Sequence, residues 1–158
     1  MTIIYFAYGS NMAAEVMEGL CPHNRFLGVA RLDGYRLAFT RRSIRTGTGV
    51  ADVIPERTHT VWGALYEIED DELTAIDRKE GYGWAYTRVM CPVLLEAGGQ
   101  DRMAVVYTVH VKEPAEIMPS RQYLDRLITA AHERRLPIAY AEKLEAMAVA
   151  DSADNGRS

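Results

Sequence analysis

The sequence predicts an α+β domain, and three observations carry that prediction. Most of the chain reads as short runs in which apolar and polar residues alternate, the period of a strand covered on one face. Turn signals such as Asp33-Gly34 and Ala97-Gly98-Gly99-Gln100 separate these runs as hairpins would. Helical patterns are few, short and not regularly interleaved with strands, which excludes a doubly wound parallel sheet. A closed or partly closed barrel would explain how so many strands hide their edges.

In chain order, Ile3 to Phe6 is β-branched or aromatic and reads as a strand buried on both faces. Gly9 offers conformational freedom, and Ser10 and Asn11 are preferred at a helix start, so Met12 to Met17 is expected to be a short helix. Cys21 to Asn24 is a loop and Arg25 to Leu32 a strand, with Asp33-Gly34 as the hairpin turn into Tyr35 to Thr40. Arg41 to Gly49 is a polar, glycine-containing segment expected to be a mobile loop. Val50 to Ile54 is a short strand that Pro55 should end. Thr60 to Ile68 places Trp62, Ala64, Tyr66 and Ile68 on one face, and Gly63 invites close approach of another backbone. Glu69 to Glu72 suits the positive end of a helix dipole, Leu73 and Ile76 form the buried stripe, and Gly81 ends the helix. Thr87 to Leu95 and Met103 to Val111 pair as a hairpin. Ser120 caps a helix burying Leu124, Leu127, Ile128 and Ala131, and Pro137 opens another burying Tyr140, Leu144 and Met147. One domain over residues 1–150 results, and Asp151 to Ser158 is expected to be a disordered tail.

Composition narrows the function classes. The 158 residues suffice for one core, and 48% hydrophobic with 25% charged residues is ordinary for a globular protein. A formal charge of −4 without a basic cluster argues against nucleic acid as partner. Two cysteines, Cys21 and Cys91, make neither a disulfide framework nor a metal cage, and His23, His59, His110 and His132 lack ligand spacing. Neither a metal nor a cofactor is expected. No apolar run approaches the ~20 residues of a membrane helix, and Thr2 to Ala7 lacks the basic flank of a signal peptide, so a cytoplasmic protein is expected. Oligomeric state is left open, a homodimer included.

Two stretches carry chemistry. Tyr5-Phe6-Ala7-Tyr8-Gly9-Ser10-Asn11 runs from strand through glycine turn to helix start, and such a turn gathers backbone N–H groups that suit a carboxylate, phosphate or oxyanion. Glu80 ends a helix beside Gly81, with Tyr82, Trp84 and Tyr86 following. The negative helix end and water-excluding rings would both raise its pKa, as suits a group that transfers protons near neutrality. The residues alone leave open a purely structural turn and a solvated glutamate.

The same stretches resemble the γ-glutamylcyclotransferase family. Tyr5 to Asn11 is similar to its substrate loop, and Ile76-Asp77-Arg78-Lys79-Glu80-Gly81, followed by Tyr86 and Arg88, to its catalytic segment. Ser120-Arg121-Gln122-Tyr123 and Leu136 to Leu144 are similar to its closing helices, with Val29 to Leu32 and Val61-Trp62-Gly63 in register between. The resemblance runs in order from about Ile4 to Met147 and implies a small mixed β-barrel with flanking short helices. It further implies conversion of γ-glutamyl amino acids to 5-oxoproline and free amino acid, with a small-molecule γ-glutamyl substrate as partner. Glu80 would then be the general acid/base, Tyr5, Phe6, Ala7, Tyr8, Gly9, Ser10 and Asn11 would form the substrate loop, and Tyr123 would add a hydroxyl. Trp84 and the 41–49 segment have no counterpart in that pattern, which leaves the leaving group open.

Rival readings are a γ-glutamylamine cyclotransferase acting on isopeptide-type substrates and a γ-glutamyl-binding module without turnover. A cysteine hydrolase would need Cys21 or Cys91 beside a histidine, and Cys91 sits on an apolar strand face. Ser10 lacks the G-x-S-x-G elbow of a serine hydrolase.

Overall fold

The computed structural model describes residues 1–150; the tail expected at 151–158 lies outside them. Five strands close into a barrel: β1 (Thr2–Ala7), β2 (Arg25–Arg42), β3 (Gly49–Glu69), β4 (Tyr86–Leu95) and β5 (Asp101–Val109). Around the barrel their order is β1-β3-β2-β4-β5. All neighbours are antiparallel except β1 and β5, which meet in parallel at the single pair Tyr5↔Val105. The barrel is therefore mixed, and its weakest seam lies beside Tyr5. Four short helices flank it: α1 (Ala14–Leu20), α2 (Leu73–Glu80), α3 (Arg121–Glu133) and α4 (Ile138–Glu145). The α+β barrel expected from the sequence is the observed fold.

The core fills the barrel and the space under the helices. Phe6, Leu65, Tyr66, Val61, Ile76, Leu124 and Leu127 are fully buried within it. Gly63 permits the closest approach of β3 to β1. A Cβ there would stand 2.4 Å from the Ala7 carbonyl oxygen and 2.8 Å from Cζ of Phe6. On β3, Ala64, Tyr66 and Ile68 are buried as expected, but Val61 and Leu65 on the other face are buried too. That strand is covered on both sides.

Local readings of the long hairpin need correction. Asp33-Gly34 is not its turn: β2 continues to Arg42, and Gly34, at φ +83°, lies at a bulge between the pairs Asp33↔Thr60 and Tyr35↔Pro55. Nor does Pro55 end β3. Residues 56–59 bulge outward, exposed and without partners on β2, and pairing then resumes. A glycine beside an aspartate serves a bulge as well as a turn, and only the partner strand decides. The reversal occurs at 43–48, where Ser43 N–H donates to the Thr48 carbonyl at 2.8 Å.

The helix expected over Met12 to Met17 is a single 3₁₀ turn, Ser10–Met12, followed by α1 after an extended Ala13. No side chain caps that turn. The acidic start of α2 is a capping box: Glu69 and Glu72 side chains each accept from the other's backbone N–H. Gly81, at φ +68°, ends the helix in the left-handed conformation that glycine adopts without penalty. Ser120 caps α3 by accepting from Tyr123 N–H at 3.0 Å. No described helix is long and apolar enough to cross a membrane.

Candidate active site

The seam between β1 and β5 opens into a cavity lined by Tyr5, Tyr8, Gly9, Ser10, Asn11, Ala51, Glu80, Tyr86, Tyr107 and Tyr123. It holds about 330 Å³ of empty space, its open mouth included. Two of the sequence-expected residues do not line it. Phe6 points to the opposite face of β1, where its ring meets Gly63, and Ala7 is wedged against β3 by its own carbonyl. Strand alternation alone separates Phe6 from Tyr5.

Gly9 needs no left-handed backbone, since its φ is −116°. Its lack of a side chain matters for space. A Cβ would stand 3.9 Å from both the Tyr123 hydroxyl and Cβ of Ala51, in ordinary contact and within the cavity. Among the described residues, the N–H groups of Gly9 and Ser10 have no hydrogen-bond acceptor, so they are free to bind a ligand oxygen.

Glu80 reaches this cavity from the last position of α2. Its Oε2 accepts from Asn11 Nδ2 at 3.3 Å, and the same amide nitrogen donates to the Tyr5 hydroxyl at 2.9 Å. The other end of Asn11 accepts from the Lys79 ammonium, which also donates to Ser10 Oγ at 3.4 Å. Buried Asn11 is thus engaged at both ends and sets the direction of Glu80. Burial raises the Glu80 pKa above its ordinary value, against the pull of Lys79 and the Asn11 hydrogen bond. The rings that surround it are those of the cavity. Of the three aromatics that follow it in sequence only Tyr86 takes part, while Tyr82 and Trp84 are largely exposed.

The five tyrosines divide into two kinds. Tyr8 donates to the Tyr107 carbonyl at 2.7 Å, Tyr86 to the Ala51 carbonyl at 2.7 Å, and Tyr107 to Asp77 at 2.5 Å. Their protons are spent on the fold. Tyr5 and Tyr123 instead accept, from Asn11 and from Ala51 N–H (3.0 Å), and neither hydroxyl proton has an acceptor among the described residues. Burial pushes the Tyr123 hydroxyl up to about 12, and burial likewise raises Tyr5 well above its ordinary value. Both remain protonated at neutral pH, as donors to whatever enters.

Sequence reasoning did not single out Lys79, Tyr107, Ala51 or Asp52. Asp52 is fully buried one residue from Ala51, accepting from Thr40, Thr108, Lys112 (2.6 Å) and the N–H groups of Val53 and Val109. It anchors the strand that presents Ala51. An acid on an apolar strand, Val50-Ala51-Asp52-Val53, was the available signal.

The two cysteines are poorly placed as nucleophiles. Cys21 is buried, donates to the Glu72 carbonyl at 3.7 Å, and burial pushes its thiol up to about 11. Cys91 is buried beside the Tyr35 hydroxyl. No group of three or more histidine, cysteine or carboxylate side chains among the described residues is arranged to hold a metal ion.

Known proteins share the sequence pattern and the fold. Residues 5–125 match the family described as "Gamma-glutamyl cyclotransferase, AIG2-like". The chain is 29% identical over 150 residues to a human protein named gamma-glutamylcyclotransferase and 30% identical to its mouse counterpart. Each alignment covers 92% of this chain and 79% of the relative. A solved structure named "Gamma-glutamyl cyclotransferase" superposes with a TM-score of 0.88 at 28% identity, covering 96% of this chain and 90% of that one.

Proposed function

Since the chain belongs to the gamma-glutamyl cyclotransferase, AIG2-like family, we propose that it is an enzyme converting γ-glutamyl amino acids to 5-oxoproline and free amino acid. The observation that carries this reading is Glu80: a partly buried carboxyl, raised by that burial, in a cavity whose other titratable walls are protonated tyrosines. A γ-glutamyl compound contains both reacting groups, the α-amine and the γ-carbonyl. Ring closure then gains the high effective concentration of an oriented intramolecular attack.

The protein's part is proton transfer and restraint. Glu80 takes a proton from the α-ammonium, and the freed amine forms a C–N bond to the γ-carbon. The tetrahedral oxyanion collapses and the original amide C–N bond breaks as Glu80 returns the proton to the departing nitrogen. The ring nitrogen then gives its one surplus proton to the freed Glu80 carboxylate, which passes it to the released amine and is ready for the next turnover. The unpaired N–H groups of Gly9 and Ser10 and the unspent hydroxyl protons of Tyr5 and Tyr123 supply donors for the oxyanion and the α-carboxylate. Asn11 keeps Glu80 aimed between the two nitrogens.

A second reading has one observation in its favour, the 3.4 Å contact of Lys79 Nζ with Ser10 Oγ. A serine–lysine pair could attack the γ-carbonyl itself and release glutamate through an acyl-enzyme. The two readings differ in product and in amine dependence. We expect 5-oxoproline from a γ-glutamyl dipeptide and none from its Nα-acetyl derivative, with competition assays verifying that the derivative still binds. Free glutamate, or steady cleavage of the acetylated compound, would overturn cyclotransfer.

A further inference from the structure

Beyond Glu80 the cavity continues into a second space of about 1090 Å³, its open mouth included. The two spaces share Ser10, Glu80, Tyr86 and Tyr123, so a ligand whose γ-carbonyl sits at Glu80 has room to extend its leaving part into the outer one. Three elements wall that space: the 43–48 turn with Arg45, the end of α2 with Lys79, and the first turns of α3 with Arg126.

The charge on those walls is one-sided. Arg45, Lys79 and Arg126 face a single carboxylate, Glu80. Among the described residues none of the three forms an ion pair, whereas Arg25, Arg31, Arg36, Arg88, Lys112 and Arg121 each pair with an aspartate or glutamate. What is local is the sign of the wall, three cations against one carboxylate in a chain of net charge −4. Burial lowers the Lys79 pKa, and the Arg126 guanidinium adds to that against the pull of Glu80. An anion in the outer space would relieve this repulsion.

The α-carboxylate of a leaving amino acid accounts for one of the two arginines. Arg45, Lys79 and Arg126 outnumber Glu80 by two charges in that wall, so one leaving-side carboxylate balances one of them and leaves a cation over. A second carboxylate, farther along the leaving side chain, meets the other. Resting on the cyclotransferase reading above, we propose that the outer space is an anion subsite selecting γ-glutamyl substrates whose leaving amino acid is acidic, with Arg45 and Arg126 as its specificity residues.

The test compares γ-glutamyl-glutamate with γ-glutamyl-glutamine, nearly equal in size and different in charge, and with γ-glutamyl-butylamine, which lacks both leaving-side carboxylates. Release of 5-oxoproline is measured as kcat/KM for the natural chain and for Arg45→Gln and Arg126→Gln. The natural chain is expected to favour γ-glutamyl-glutamate over γ-glutamyl-glutamine by about tenfold, the scale of one charge-assisted hydrogen-bonded contact. The preference should shrink as salt rises, and each substitution should bring the ratio towards one. Equal or reversed preference in the natural chain, a ratio unmoved by both substitutions, or butylamide turnover equal to that of the dipeptides would overturn the subsite. Absence of 5-oxoproline from all three substrates would instead overturn the cyclotransferase reading on which it rests.

Discussion

Replacing Glu80 with glutamine separates the two consequences of placing a carboxyl in a tyrosine-lined cavity. Glutamine keeps the length of the side chain and an oxygen able to accept from Asn11 Nδ2, so the cavity should retain its shape. It cannot carry a proton between the two nitrogens. Turnover is expected to fall by about 100-fold or more, the usual scale for a positioned acid–base group. At ~1.36 kcal/mol per tenfold, that is about 2.7 kcal/mol or more of lost barrier reduction. Binding of 5-oxoproline, followed by calorimetry, should change by less than about fivefold, because at most one hydrogen bond of ~1 kcal/mol is disturbed.

Stability should move the other way. Because burial raises the Glu80 pKa, the folded state holds this proton more tightly than the unfolded chain does. Stability then falls as pH rises from the unfolded value of ~4.3 through the raised folded value. Glu80→Gln removes that loss, so the variant should be more stable than the natural chain above this window and equal to it below. The activity of the natural chain needs the ionised carboxylate to accept the ammonium proton. Its acidic limb should therefore lie above the ordinary carboxylate range, and the residual activity of the variant should lose that limb. Denaturant titrations across pH and initial-rate profiles measure both effects. Near-normal turnover, or a stability gap that persists below pH ~4, would refute the reasoning.

Gly9 in the cavity and Gly63 in the barrel wall should respond differently. Gly9→Ala adds a methyl into the cavity with no contact under 3.9 Å, so KM should rise by about tenfold with thermal stability unchanged. Gly63→Ala forces a methyl to 2.4 Å from the Ala7 carbonyl and should cost about 3 kcal/mol in denaturant unfolding. Equal effects of both changes on stability would show that the space at Gly9 is misjudged. Tyr123→Phe removes both the acceptor of Ala51 N–H and a free donor, so a stability loss of about 1–3 kcal/mol and an activity loss of about tenfold are expected. Abolished activity in a folded Tyr123→Phe protein would move the proton-donor role from Glu80 to Tyr123.

Period, capping and turn chemistry act over a few residues, and where they decided the outcome the sequence alone was sufficient. It determined the α+β class, the acidic start and glycine stop of α2, the Ser120 cap, the β4–β5 hairpin and the close approach at Gly63. It also placed Glu80 and the Tyr5 to Asn11 stretch as partners, through a resemblance in which both motifs occur in order. What it could not determine was anything that depends on the neighbouring strand. Asp33-Gly34 is a bulge because β2 and β3 stay paired beyond it, and which of the two alternating faces of β1 lines the cavity is set by barrel closure. Glu80 is shielded by Tyr86 and the barrel's own tyrosines, while Tyr82 and Trp84, its nearer sequence neighbours, stay largely exposed. Lys79, Tyr107, Asp52 and the unpaired arginines read in sequence as ordinary residues of a helix, a strand and a loop. Their roles come from partners distant in the chain, Asn11 for Lys79 and Lys112 for Asp52, because hydrogen bonds and charge pairs are set by distance in space. Local pattern specifies which elements form; barrel closure specifies which side chains share a cavity.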